Sequence, residues 1–152
     1  MRRVVVTGLG IVSSIGSDAA EVTASLREAK SGIQFSPDFA EYGFRCQVWG
    51  KPALDPTDLV DRRAMRFLSQ GGAWNHVAMK QALADSGLEE KDYAQNERTG
   101  IIMGSGGPST RTIVEAADIT RKNMSPKRIG PFAVSHGWRC GPAMRSKATK
   151  GS

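Results

Sequence analysis

Apolar positions along the chain come in blocks, and the blocks change period at glycine and proline. Val4-Val5-Val6-Thr7 is β-branched and runs into Gly8 and Gly10. That pattern predicts a strand with a close backbone approach at its end, continued by Ile11-Val12. Ser17 or Asp18 caps a predicted helix over 19–30, with Glu21 in its first turn. Val22, Leu26 and Ala29 form its apolar face, and Ser31-Gly32 stops it. Residues 33–56 contain Pro37, Gly43, Gly50, Pro52 and Pro56, so they predict a loop with strand pieces around 44–49.

Val60, Ala64, Phe67, Gly71, Trp74, Ala78 and Ala82 then recur every three or four residues. They predict one long helix from 57 to 85, closed by Gly87. The Gly71-Gly72 pair weakens such a helix by about 1 kcal/mol per glycine relative to alanine, so tight packing on another backbone is its expected reason. A second apolar run at 100–103 predicts a covered strand. Gly104-Ser105-Gly106-Gly107-Pro108 is the turn after it, and a helix over 110–123 follows from Ser109 or Thr110. From Ser135 to Ser152 no period remains, which predicts loop or disorder. Strand, helix, long helix, strand, helix is an α/β order.

Both glycine clusters resemble nucleotide loops and miss them. Gly8-Leu9-Gly10-Ile11-Val12-Ser13 follows a predicted strand, but serine stands where the dinucleotide pattern needs its third glycine. No acidic residue ends a second strand about twenty residues on. Gly104-Ser105-Gly106-Gly107 is followed by Pro108-Ser109, not by the lysine and hydroxyl that hold phosphate and magnesium. Glycines that admit a crowded neighbour explain both.

Composition adds bounds. At 152 residues and 16.3 kDa the chain has the size of one ordinary domain. No apolar run approaches the roughly eighteen residues of a membrane span, and no signal-peptide core follows Met-Arg-Arg, so a cytoplasmic protein is expected. Cys46 and Cys140 form no Cys-x-x-Cys pair, so neither structural zinc nor a disulfide framework is expected. Cys46 is expected to be buried and inert, and His76 to be a packed helix histidine. The net charge of +6 is uneven: residues 119–152 carry 8 basic side chains and no acidic one. Such a tail fits a nucleic-acid arm, a segment with an acidic partner, or a stretch outside any fold.

Several blocks together resemble one family. Val5-Val6-Thr7-Gly8-Leu9-Gly10-Ile11-Val12-Ser13-Ser14-Ile15-Gly16 looks like the opening of the β-ketoacyl-acyl-carrier-protein synthases. Ala24-Ser25-Leu26-Arg27-Glu28, Ser31-Gly32-Ile33, Val48-Trp49-Gly50, Asp61-Arg62-Arg63 with Arg66-Phe67, Ala82-Leu83-Ala84-Asp85-Ser86-Gly87-Leu88, Gly104-Ser105-Gly106-Gly107 and Ile129-Gly130-Pro131-Phe132 follow in the family's order. Synthase I, the elongation enzyme of bacterial fatty-acid synthesis, is the branch most resembled. The resemblance implies a thiolase-like α/β fold, of which this chain is the N-terminal part, in stacked α-β-α-β-α layers. It implies a homodimer, acyl carrier protein as partner, and no cofactor, metal, nucleic acid or membrane. It also implies an acyltransferase in which a cysteine takes the acyl chain. Malonyl-carrier protein is decarboxylated beside two histidines, and backbone amides hold the oxyanion.

By resemblance Arg62, Arg63 and Arg66, with Lys127 and Arg128, are the basic positions that meet the acidic carrier protein. Gly106 and Gly107 match the turn near the dimer contact and acyl pocket. A solvated helix face is the plain alternative for the arginines. The resemblance covers 1–135. Beyond it, His136-Gly137-Trp138-Arg139-Cys140-Gly141-Pro142 does not match the family's Ser-Ala-Cys type nucleophile motif. No catalytic residue is therefore expected in this chain. Residues 136–152 are expected to be a non-matching, disordered basic tail, left by a frameshift, an early end or a fusion. The competing readings are an inactive truncated product, a carrier-protein-binding remnant, or a nucleotide- or nucleic-acid-binding module.

Overall fold

The computed structural model of the chain describes residues 3–94, 96–131 and 133. It has two compact units, one drawn from residues up to Asp55 with Val77–Gly87, the other from Pro56–His76 and the described residues from Leu88 on.

In the first unit α1 spans Ala19–Arg27. The Asp18 side chain caps it by accepting from the Glu21 amide at 2.8 Å, as the sequence pattern predicts. The helix stops earlier than expected, because Ala29 turns left-handed with φ 53° before Ser31-Gly32 is reached. Its inward face also differs from the expected stripe. Val22 and Ser25 are buried, whereas Leu26 is 67% exposed. Ser25 is tolerated inside because its hydroxyl donates to the Ile15 carbonyl at 2.6 Å.

Strand β1 (Gln34–Phe35) pairs antiparallel with β2 (Val48–Trp49), Gln34 opposite Trp49 and Phe35 opposite Val48. Between them α2 (Pro37–Glu41) interrupts the predicted loop. Its local signal is complete: Ser36 caps, Pro37 holds the first position, and Asp38 lies in the first turn. Ser36 is fully buried, yet its amide donates to the Gln47 carbonyl at 2.7 Å. Phe39 from α2 meets Phe44 at 5.3 Å and the Trp49 ring edge at 5.8 Å.

The predicted strand over 4–7 does not form among the described residues. Val4, Val5 and Val6 are 96%, 73% and 88% exposed, with no described strand beside them. A strand exists only within a ladder, and β-branching cannot supply the missing partner. The predicted strand over 100–103 fails likewise, and Ile102 is wholly exposed.

The second unit begins with a 3₁₀ turn at Pro56–Asp58, then α3 (Arg62–Met65). Helix α4 follows over Gln70–Ser86, its residues up to His76 counted here and the rest in the first unit. The single long helix predicted over 57–85 is thus broken twice. Asp61 starts α3 by accepting from the Arg63 amide at 3.1 Å, and Ser69 starts α4 by accepting from the Gly72 amide at 3.2 Å. Polar side chains that satisfy amides locally compete with continuing the helix, and here they win. Val60, Leu68 and Ala73 are buried apolar residues of this unit. Gly87 closes α4 with φ 68°, as predicted.

Gly71 therefore lies in the first turn of α4, and no atom lies within 4 Å of a Cβ built on it. The expected packing reason for this glycine fails. We expect Gly71→Ala to stabilise the chain by up to about 1 kcal/mol, read as a raised urea midpoint.

Helix α5 (Glu90–Tyr93) carries its own start, the Glu89 amide donating to Asp92 at 2.8 Å. Helix α6 spans Thr110–Asn123, with Ser109 as cap and Met124 left-handed after it. Those bounds match the predicted helix. A 3₁₀ turn at Pro126–Arg128 packs against α6.

Candidate functional site

Local chemistry builds the basic face on α3. Asp61 has its carboxylate engaged at the helix start, so the adjacent counter-charge already serves the backbone. Arg62 and Arg63 follow within the single turn, and Arg66 continues it in right-handed helical geometry with φ −62° and ψ −19°. All three arginines are exposed. Positions 62 and 66 lie one turn apart, and 63 and 66 lie three apart, so the three positions fall on one side of the turn. Val60 is 4% exposed beside them. Phe67, expected in the core stripe, is 40% exposed instead.

Lys127 and Arg128 lie in the turn after α6, and both are exposed. Their packing on α6 joins them to the end of a helix whose last turn already holds Arg121 and Lys122. Arg121 pairs with Asp118 at 3.3 Å. Arg121 and Lys122 are not among the expected docking positions, although the excess of basic residues after position 118 includes them.

Gly106 and Gly107 form a bend whose shape is set by Ser105. Its hydroxyl donates to the Gly107 carbonyl at 2.7 Å. No atom lies within 4 Å of a Cβ at Gly104, Gly106 or Gly107, so among the described residues the crowded neighbour expected there is absent.

The first glycine cluster is crowded instead. A Cβ at Gly8 would overlap the Ala82 carbonyl oxygen, and one at Gly10 the Ala78 carbonyl oxygen. These glycines admit a helix rather than a pyrophosphate.

Cys46, expected to be buried, is exposed, its thiol 4.0 Å from the Val48 carbonyl oxygen. The two-residue strand beside it is too short to cover it. His76 lies half-buried in α4. Among the described residues no group of three His, Cys, Asp or Glu side chains is placed to hold a metal, and no helix is long and apolar enough to cross a membrane. His136, Cys140 and the rest of the expected 136–152 tail lie outside the described residues.

Comparison with known proteins gives this arrangement its context. The model of the family "Beta-ketoacyl synthase, N-terminal domain" matches residues 1–145. The 3-oxoacyl-[acyl-carrier-protein] synthase 1 of Escherichia coli K12 is 48% identical over 135 residues, covering 89% of this chain and 33% of that protein. The Haemophilus influenzae enzyme of the same name is 42% identical over 135 residues, with the same coverage. The chain thus spans about a third of the length of these relatives. Among solved structures, the ishigamide ketosynthase/chain length factor matches with a TM-score of 0.72 and 26% identity, over 87% of this chain and 33% of that one. A beta-ketoacyl synthase from Burkholderia phymatum matches with a TM-score of 0.75 over 91% of this chain and 34% of that one. At 23% identity the second likeness bears on the fold alone, which is thiolase-like. With a family match running through nearly the whole sequence, the chain belongs to the β-ketoacyl synthases, through their N-terminal domain.

Proposed function

We propose that this chain is the N-terminal part of a 3-oxoacyl-[acyl-carrier-protein] synthase of type 1, an acyltransferase of fatty-acid elongation in the cytoplasm, and that its own share is to receive acyl carrier protein. The observation that carries the docking role is the exposed arginine turn at 62–66, next to an aspartate already committed to the helix start. The turn presents three exposed positive side chains, and an acidic partner surface complements them. Lys127 and Arg128 extend the basic surface in the same reading. The α-β-α-β-α layering, the homodimer, and the role of Gly106 and Gly107 near the dimer contact and acyl pocket belong to it as well. The exposed faces of 4–6 and 100–103 are consistent with sheet partners supplied by the rest of such an enzyme.

Titrating the chain with acyl carrier protein at low salt, followed by calorimetry, tests the docking role. Saturable binding that weakens as salt rises is expected. No binding at low salt overturns it.

The resemblance places no nucleophile in these 152 residues. Incubation with acyl-carrier protein should therefore leave the chain's mass unchanged by intact-mass spectrometry, and Cys140→Ala should behave identically. A stable acyl adduct on the wild-type chain would sink this expectation.

A further inference from the structure

The glycine segment 8–11 lies along α4, and two kinds of contact alternate along it. Leu9 donates its amide to Asp85 Oδ2 at 2.9 Å, and Ile11 donates its amide to Gln81 Oε1 at 3.0 Å. Between them, Gly8 sits against Ala82 and Ser86, and Gly10 against Ala78 and Ala82. Odd residues thus bond to polar side chains one helical turn apart, and even residues lie close against the helix backbone at small residues one turn apart. The spacings agree. Four helical residues advance about 6 Å, and two residues of nearly extended chain advance about 6.6 Å. The direction is antiparallel, since residue number rises along the segment as it falls along α4. Gln81 is used at both ends of its amide, for its Nε2 also donates to the Ser17 carbonyl at 2.7 Å.

We propose that α4 is the register-setting partner of this segment, with Gln81 and Asp85 as a latch that takes the place of a β-ladder. The register is unique for a steric reason. A two-residue slip in either direction brings Val6 or Val12 to a place where only glycine fits, and a one-residue slip brings Leu9 there. The Gln81 amide then holds the far end of the loop at Ser17, just before Asp18 starts α1. The latch thereby ties the exposed 3–7 segment, α1 and α4 to one geometry. This inference does not depend on the carrier-protein reading.

Amide hydrogen exchange of the full 152-residue chain, resolved by residue, tests it. Asp85→Ala should speed exchange at Leu9, and Gln81→Met at Ile11, each by roughly tenfold for one lost hydrogen bond, while α1 amides stay protected. The conservative variants should separate from these. Asp85→Asn keeps an acceptor and should leave Leu9 slow. Gln81→Glu keeps the acceptor for Ile11, loses the donor to Ser17, and should leave Ile11 slow. Unchanged exchange at Leu9 and Ile11 in Asp85→Ala and Gln81→Met overturns the latch. If those two variants unfold altogether, the conservative pair decides: slow Leu9 and Ile11 amides uphold the latch, and fast exchange or unfolding in either overturns it.

Discussion

Reversing Arg62 and Arg66 together to Glu should weaken binding of acyl carrier protein by one to two orders of magnitude at low salt, because each exchange turns an attraction into a repulsion across the contact. Both side chains are exposed, so neither fills the core, and the exchange leaves α3 its Asp61 start. Most of the loss should fall on the association rate, because exposed charges steer encounter more than they hold a complex. Raising the salt to about 1 M, where the screening length is roughly 3 Å, should bring wild type and variant close together. The measurement is surface plasmon resonance across a salt series, with circular dichroism to confirm equal helix content. A loss of equal size at every salt concentration would show that the arginines act through the fold. Arg66→Lys should keep most of the binding, since steering needs charge rather than a planar fork.

Gly10→Ala should cost about 3 kcal/mol or more, at the upper end of the usual penalty for overpacking. The added methyl group would overlap the Ala78 carbonyl oxygen and crowd the Ala82 amide. Both are helix backbone and cannot rotate away as a side chain could. Such a loss is a large part of the 5–15 kcal/mol that holds an ordinary domain together. Gly104→Ala is the control, for its methyl group meets nothing within 4 Å. Urea midpoints of the two variants should therefore differ widely. Midpoints that coincide would mean that the segment leaves α4 in solution.

Some features were legible in the sequence because their hydrogen bonds close within three or four residues. Asp18 caps α1 and Ser109 caps α6 as the pattern predicts, and Gly87 ends α4 by its freedom at positive φ. Helix α2 was legible in the same way from Ser36, Pro37 and Asp38, although the surrounding prolines and glycines argued for loop. The arginines of α3 were visible as a charge cluster, because charge is a property of residue type. What tertiary structure decided lies at longer range. The periodic stripe from 60 to 82 could not show that Asp61 and Ser69 would each start a new helix, since periodicity reports a face and not its continuity. Val4-Val5-Val6 had the composition of a strand, but composition carries no partner. Gly8 and Gly10 could be read only as needing close approach. Their neighbours are Ala78, Ala82 and Ser86 of α4, and the Asp85 and Gln81 that hold Leu9 and Ile11 lie 76 and 70 residues along the chain from them. A contact across that distance depends on the path of the whole intervening chain, which no local pattern encodes.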